Sequence, residues 1–503
     1  MTPSRPQDRR AITLARVLGP VEAFCVVVGC VIGSGIFLVP ASVAHDVPYL
    51  GGIILVWIVG GLFSAAGALT LAELGAMMPH AGGPYVYLRA AYGVVPSFLF
   101  GWAEFTVVRT GSMATLAAAF ARYFQQIFPP VLGIPPAIWQ AGAAVTAIAL
   151  VTFVNILGTR RGGMLQVIGT VLKVGGILAM IGLPFLVGRG TTANLSPWGP
   201  SPAAGSLWVG IMAAMVSVLW AYDGWLNVAP LAEEVRDPGR NIPRSLILGM
   251  AALIALYLGM TLAYHYVLPM SQVAEANREE GATEKAIAAV YCRELLGSYG
   301  VLAISALVMC STFISLNGNA LTGPRAYFAM ARDGLLPRGL CRVHPRFHTP
   351  SNAVLAQGLW SIVLTMLGTA LIMVPPPDPG ATGASSWSGP LLTAWTTLNR
   401  TPLYDLLLTY VIFGATIFYM LTIASVFILR ARQPDLERPY RTWGYPWTPL
   451  LYVVSAILLL GNMLIDPKSR VQSVAGLGLI LLGLPAWAYF RDGERIGEPA
   501  HAT

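Results

Sequence analysis

Two short strings place helix-breaking residues inside segments apolar enough to cross a lipid bilayer. The first is GCVIGSGIFLVPAS, holding Gly29, Gly33, Ser34, Gly35 and Pro40. The second is LWAYDGWLNVAPLAEE, holding Asp223, Gly224 and Pro230. Glycine is a weak helix former and proline withdraws a backbone donor, so each string is a candidate broken helix. Such a break exposes N–H groups at one new end and carbonyls at the other. The N–H end attracts an anion and the carbonyl end a cation, which suits a zwitterion without dedicated charged side chains. The competing reading is plain packing, because Gly29-xxx-Gly33 is also a close-contact motif between membrane helices.

Ionisable residues inside the apolar runs are the next candidates. Lys173 sits about nine residues into its run, roughly 13 Å deep at the rise of a helix. At that depth it costs at least about 2.5 kcal/mol unless paired or solvated, the alternative being a misplaced span edge. Glu104 and Arg109 share one run, and their i,i+5 spacing puts them about 140° apart on an α-helix. They are therefore expected to be poor partners for one another, each pairing with a different neighbour in the bundle, with direct contact to a substrate as the alternative. Glu73, with Glu233 and Glu234, is expected in a network at the cytoplasmic gate. Asn227 and Asn317 either hydrogen-bond across helices or line a pocket, and His265 is expected at the membrane interface.

The elements that must hold these residues follow from composition. Of 503 residues only 11% are charged and 55% are hydrophobic, against about 25% charged in a soluble domain. That excludes a cytosolic enzyme, a disordered chain and a secreted disulfide scaffold. The net charge of +8 is not gathered into a basic domain, so nucleic acid is not expected as a partner. Runs long enough to span a bilayer fall near 20–44, 51–78, 96–124, 137–157, 164–187, 207–232, 244–267, 299–324, 353–375, 404–429, 446–465 and 471–490. The expected fold is an all-α polytopic membrane protein with twelve transmembrane helices. The first run is read as a retained span, not a cleaved signal. With the N-terminus inside, twenty-one basic residues fall on the inner side and seven on the outer, the bias of a cytoplasmic face. Both termini are then cytoplasmic.

The two breaks open the first and sixth runs. They are the first members of two consecutive five-span blocks that must cross the membrane in opposite directions. Interrupted spans at matching places of inverted halves point to a midplane site in a secondary transporter. The expected units are a tail 1–19, a first repeat 20–187, a second repeat 207–429, helices 446–490 and a tail 491–503. No metal or cofactor is expected: the five cysteines form no ligand cluster, and HExxH, P-loop and GxSxG patterns with partners are not found.

Several ordered strings resemble the amino acid–polyamine–organocation transporters, and within them the bacterial L-type branch. They are GSGIF at Gly33–Phe37, the stretches Glu73–Gly93 and Gly101–Ser112, then Trp220–Ser245, Ser315–Pro337 and Arg430–Trp447. The resemblance implies a LeuT-like 5+5 inverted repeat plus two C-terminal helices, working by alternating access on an amino acid. It implies that backbone N–H groups of Ser34, Gly35 and Ile36 hold the substrate carboxylate. Carbonyls of Val31, Trp220 and Asp223 receive its ammonium group, Ala221 and Gly224 complete that turn, and Trp220 closes over the substrate. It also implies that the Lys173 ammonium occupies the place where sodium-coupled relatives bind sodium.

The chain departs from those relatives at two places. Asp223 replaces a small residue common in the animal L-type members, and a carboxylate there could favour cationic substrates. The loop 125–136 has no cysteine, so no disulfide-linked heavy chain is expected as a partner. Two alternatives to sodium-independent transport of L-amino acids remain open. One is proton-coupled uptake of cationic amino acids or polyamines, with Lys173 as a proton carrier. The other is a membrane sensor that binds an amino acid without moving it. A long outside loop at 376–402, rich in Pro, Gly, Ser and Thr, has no assigned role.

Overall fold

The computed structural model describes residues 14–131, 133–200, 207–276, 285–373, 403–465 and 467–495. The long loop 376–402 lies outside them, as do residues 277–284. Among the described residues the secondary structure is helical, without a β-strand; one isolated bridge pairs Leu18 with Val235. In chain order the helices are α1 (Pro20–Val31), α2 (Gly35–Asp46), α3 (Leu50–Met77), α4 (Pro84–Tyr92), α5 (Val94–Ala103), α6 (Arg109–Ile127), α7 (Pro136–Ile156) and α8 (Thr159–Val187). They continue as α9 (Leu207–Ala221), α10 (Pro238–Val267), α11 (Met270–Glu275), α12 (Ile287–Leu296), α13 (Ser298–Thr322), α14 (Pro324–Arg332) and α15 (Ser351–Met373). The last four are α16 (Leu403–Arg432), α17 (Trp447–Ile465), α18 (Pro467–Leu481) and α19 (Gly483–Arg495).

Ten helices among the described residues are long and apolar enough to cross a membrane, and the bent pair α1/α2 raises this to eleven. The expected third span is a run of α5, a π turn at Glu104–Val108, and α6. That run carries Glu104 and Arg109 and is not one of the eleven. The expected first span is two helices meeting at 42°. The expected sixth is α9 followed by a 3-10 segment, Trp225–Glu234.

Helix α8 shows why these helices belong in lipid. Its buried face carries Gly162, Gln166, Gly169, Thr170, Lys173 and Ile177, spaced three or four apart. Its exposed face carries Met164, Ile168, Val171, Leu172 and Leu178. A water-soluble helix does the reverse, with apolar residues inward. Small and polar residues inward with bulky apolar ones outward is the pattern of a helix solvated by acyl chains.

Short helices complete the bundle. Within 269–298 the described residues hold α11 and α12, and α12 buries Ile287, Tyr291, Cys292 and Leu295. At the bundle end that carries Leu14–Leu18, the chain before α1 is tied to the segment after the second break. The Leu18 N–H donates to the Glu234 carbonyl at 3.0 Å, and the Arg236 N–H to the Leu18 carbonyl at 2.8 Å. His265, expected at an interface, is instead fully buried in α10. Its position near a helix end says nothing of the neighbours that cover it.

Candidate functional site

The two sequence breaks come together in space. Residues Ile32–Ser34 separate α1 from α2, and Tyr222–Gly224 separate α9 from the 3-10 segment. Gly224 sits at φ 116°, and a Cβ on it would lie 3.0 Å from the Cys30 carbonyl. Positive φ and a backbone neighbour both demand glycine there. Gly35, at the start of α2, has the same constraint from the other side: its Cβ would lie 3.0 Å from the Ala221 Cα. The carbonyl end of α1 therefore abuts the second break, and the N–H end of α2 abuts the close of α9.

A cavity of about 100 Å³ opens between them. Its walls include Val31, Ser34, Gly35, Trp220, Ala221, Asp223 and Gly224. Arg109, Asn227, Asn319 and Tyr419 line it as well. Ile36 is fully buried and does not line it. Trp220 and Asp223 also line a second, smaller space of about 50 Å³ toward Tyr452 and Ser455. Asp223 and Tyr419 both line the two spaces. The Trp220 carbonyl already accepts from the Asp223 N–H at 3.0 Å.

Lys173 reaches the first break from α8. Its Nζ donates to the Gly29 carbonyl at 2.7 Å, the Ile32 carbonyl at 2.6 Å and Ser315 Oγ at 2.9 Å. Three donors on one ammonium meet three oxygens, which is how a fully buried lysine is satisfied. Ser311 and Ser315 on α13 bond the same strip of backbone, Ser311 Oγ donating to the Gly33 carbonyl at 2.9 Å. Lysine and serines together hold open the carbonyls that the helix break left without partners.

Glu104 and Arg109 correct the sequence expectation. They are partners, Arg109 Nε donating to Glu104 Oε2 at 2.9 Å, both nearly fully buried. The cause is the π turn between them. The Arg109 N–H bonds the Glu104 carbonyl, an i,i+5 closure. That wider turn brings residues five apart onto one face, where an α-helix would separate them. The Arg109 guanidinium continues to Asn227 Oδ1 at 2.6 Å and Asn319 Oδ1 at 2.7 Å. Asn227 thus both bonds across helices and lines the cavity. Asn317 does only the first: it accepts from Asn155 and donates to Gln166, each at 2.9 Å, and is absent from the cavity wall.

Glu73 is not joined to Glu233 and Glu234. Its buried carboxylate takes Arg430 by a two-point fork, at 2.8 and 2.7 Å, and the Thr442 N–H at 2.6 Å. Glu233 instead holds Arg332, the Leu14 N–H and the Ala81 N–H, while Glu234 holds the buried Arg325. Three separate clamps therefore close this end of the bundle.

Sequence reasoning missed Ser311, Ser315, Asn319 and Tyr419, and it also missed Tyr257 on α10. Its hydroxyl lies 3.2 Å from the Val31 carbonyl and 3.1 Å from the Ala221 carbonyl, the last carbonyls of both broken helices. Nothing in the type or spacing of one tyrosine in an apolar helix marks it. One hydroxyl has one proton, so it ties the two helix ends together by sharing or alternating. Tyr257→Phe should lower stability by about 1 kcal/mol, the net worth of one buried hydrogen bond. Thermal unfolding in detergent measures it; an unchanged midpoint would show the bridge to be incidental.

Membrane-length helices around a small central cavity between two facing breaks define a multi-pass membrane protein with an internal site. Residues 18–483 match the family model described as amino acid permease, and the chain belongs to that family. It is 28% identical to the b(0,+)-type amino acid transporter 1 of Mus musculus over 98% of this chain and 92% of that one. With the human protein of the same name the identity is 30%, over 92% and 85%. With the serine/threonine exchanger SteT of Bacillus subtilis it is 29%, over 94% and 96%.

Proposed function

We propose that this chain is a secondary transporter that exchanges L-amino acids across the cytoplasmic membrane by alternating access, without sodium. The observation that carries the reading is the meeting of the two breaks around one cavity. N–H groups at the start of α2 receive the substrate carboxylate, and the Val31 and Ala221 region receives its ammonium. A carbonyl oxygen has two lone pairs, so these carbonyls accept a substrate donor beside Tyr257. The Lys173 ammonium supplies a fixed positive charge among the Gly29 and Ile32 carbonyls, which removes the need for a bound cation there.

In this reading the run Val94–Ile127 is a third span, giving twelve, with 20–187 and 207–429 as LeuT-like inverted repeats. The three clamps at Glu73, Glu233 and Glu234 lie on the cytoplasmic side, with both termini. The transporter works without a disulfide-linked heavy chain. Purified protein in liposomes preloaded with unlabelled amino acid should take up labelled amino acid from outside. Absence of uptake for all twenty, with the protein correctly inserted, rejects the function.

Asp223 favours a second reading, uptake of cationic amino acids or polyamines, because its carboxylate lies on the cavity wall. Asp223→Gly should then lower the preference for lysine and arginine over neutral substrates by about tenfold, the worth of one charge-assisted bond. Competition by each amino acid against a neutral labelled substrate measures the ratio. An unchanged ratio leaves neutral amino acids as the substrates.

A further inference from the structure

Apart from the cavity, three arginines face one open cleft, and among the described residues no carboxylate is bonded to any of them. Arg16 lies before α1, and Arg240 and Arg244 stand one turn apart at the start of α10. They line a cleft of about 580 Å³ whose far wall is Pro439 and Tyr440, between α16 and α17. All three are exposed, and their guanidiniums make no hydrogen bond or ion pair among the described residues. Among the described residues Asp237 is the one acidic side chain lining the cleft, so that lining carries two net positive charges.

The cleft does not end in a polar surface. Ile247 lines it, and Ile247 and Leu248 are 40% and 59% exposed on a helix long and apolar enough to cross a membrane. Basic charge therefore passes directly into acyl-facing surface along α10. A soluble anion needs only the first of these features. A molecule with an anionic head and apolar tails needs both.

We propose that this cleft binds the phosphate head group of an anionic phospholipid, with its acyl chains lying along Ile247 and Leu248. The planar guanidinium presents paired donors that match phosphate oxygens. Basic pockets between helices at a membrane face favour such head groups. The three walls come from separate parts of the chain. A head group here would bind the segment before α1 to α10, beside the point where Leu18 joins Glu234 and Arg236. This proposal rests on charge and exposure alone and stands apart from the choice of substrate.

The test is native mass spectrometry of the full chain in detergent, titrated with phosphatidylglycerol and, separately, with phosphatidylcholine. Wild type should retain phosphatidylglycerol in preference. Arg16→Gln, Arg240→Gln and Arg244→Gln should each weaken that retention about fivefold, since each basic group near an anionic head group is worth about that factor. Asp237→Asn should tighten it by a similar factor, a gain that misfolding cannot produce. Asparagine tolerates the left-handed backbone that Asp237 adopts at φ 45°. Equal retention of both lipids by wild type, or no change in the four variants, overturns the proposal. So does displacement of the lipid by equimolar inorganic phosphate, which would make this a site for a free anion.

Discussion

Lys173→Ala is expected to abolish transport while the protein still inserts and folds. Uptake should fall at least about 100-fold, equivalent to some 2.7 kcal/mol. Three oxygens depend on the ammonium: the Gly29 and Ile32 carbonyls and Ser315 Oγ. Removing a buried donor leaves its acceptors unsatisfied at about 1–3 kcal/mol each. Ser315 Oγ is already 3.2 Å from the Gly29 carbonyl and 3.0 Å from the Ile32 carbonyl, and Ser311 also reaches Ile32. These hydroxyls offset part of the loss, so the break survives but is no longer held in one shape. The Gly29–Gly33 strip is where α1 ends, and its shape sets where the carbonyls of the cavity point.

Lys173→Arg should not rescue the activity. The ammonium is a compact charge with three donors, whereas a guanidinium is a broad plane that needs a wider site. Gln166 and Thr170 pack so closely on Gly29 that a Cβ there would lie 2.5 and 2.2 Å from them, which leaves no room for that plane. Vesicle uptake beside a membrane-insertion assay separates transport from folding. Full activity in the alanine variant would remove Lys173 from the transport machinery, and full activity in the arginine variant would show that any fixed cation serves there.

The breaks were legible because glycine, proline and a charged residue inside apolar runs contradict a continuous helix. Lys173 was legible as a deep cation that demands partners; that those partners lie at the first break came from the family resemblance and not from its spacing. The sequence could not show what depends on contacts made far along the chain. Glu73 meets Arg430 and Thr442 across more than 350 residues, and its acidic character alone suggested other partners. Tyr257 looks like any aromatic in an apolar helix until two helix ends fall beside its hydroxyl. The short helices α4, α12 and α14 fall below the length that a span-by-span reading of hydrophobicity detects.

The Glu104–Arg109 error has a different origin, a wrong period, and it leads to the second large effect. A single π turn inserts one residue into an α-helix, and no propensity marks the place. At this position the insertion turns i,i+5 into a facing pair, and Arg109 then reaches Asn227 beyond the second break. Glu104→Ala should therefore cost about 3–5 kcal/mol of stability, the penalty for leaving a buried charge without its counter-ion. Replacing both residues, Glu104→Leu with Arg109→Met, should recover most of that stability, because an apolar pair of similar volume avoids the desolvation. It should not recover transport, since Asn227 and Asn319 would face the cavity without the guanidinium that orients them. Thermal unfolding in detergent, run beside vesicle uptake, reads the two quantities separately. A stable double variant that still transports would reduce the pair to a packing device. A double variant as unstable as the single one would show that the π turn itself depends on the charge pair.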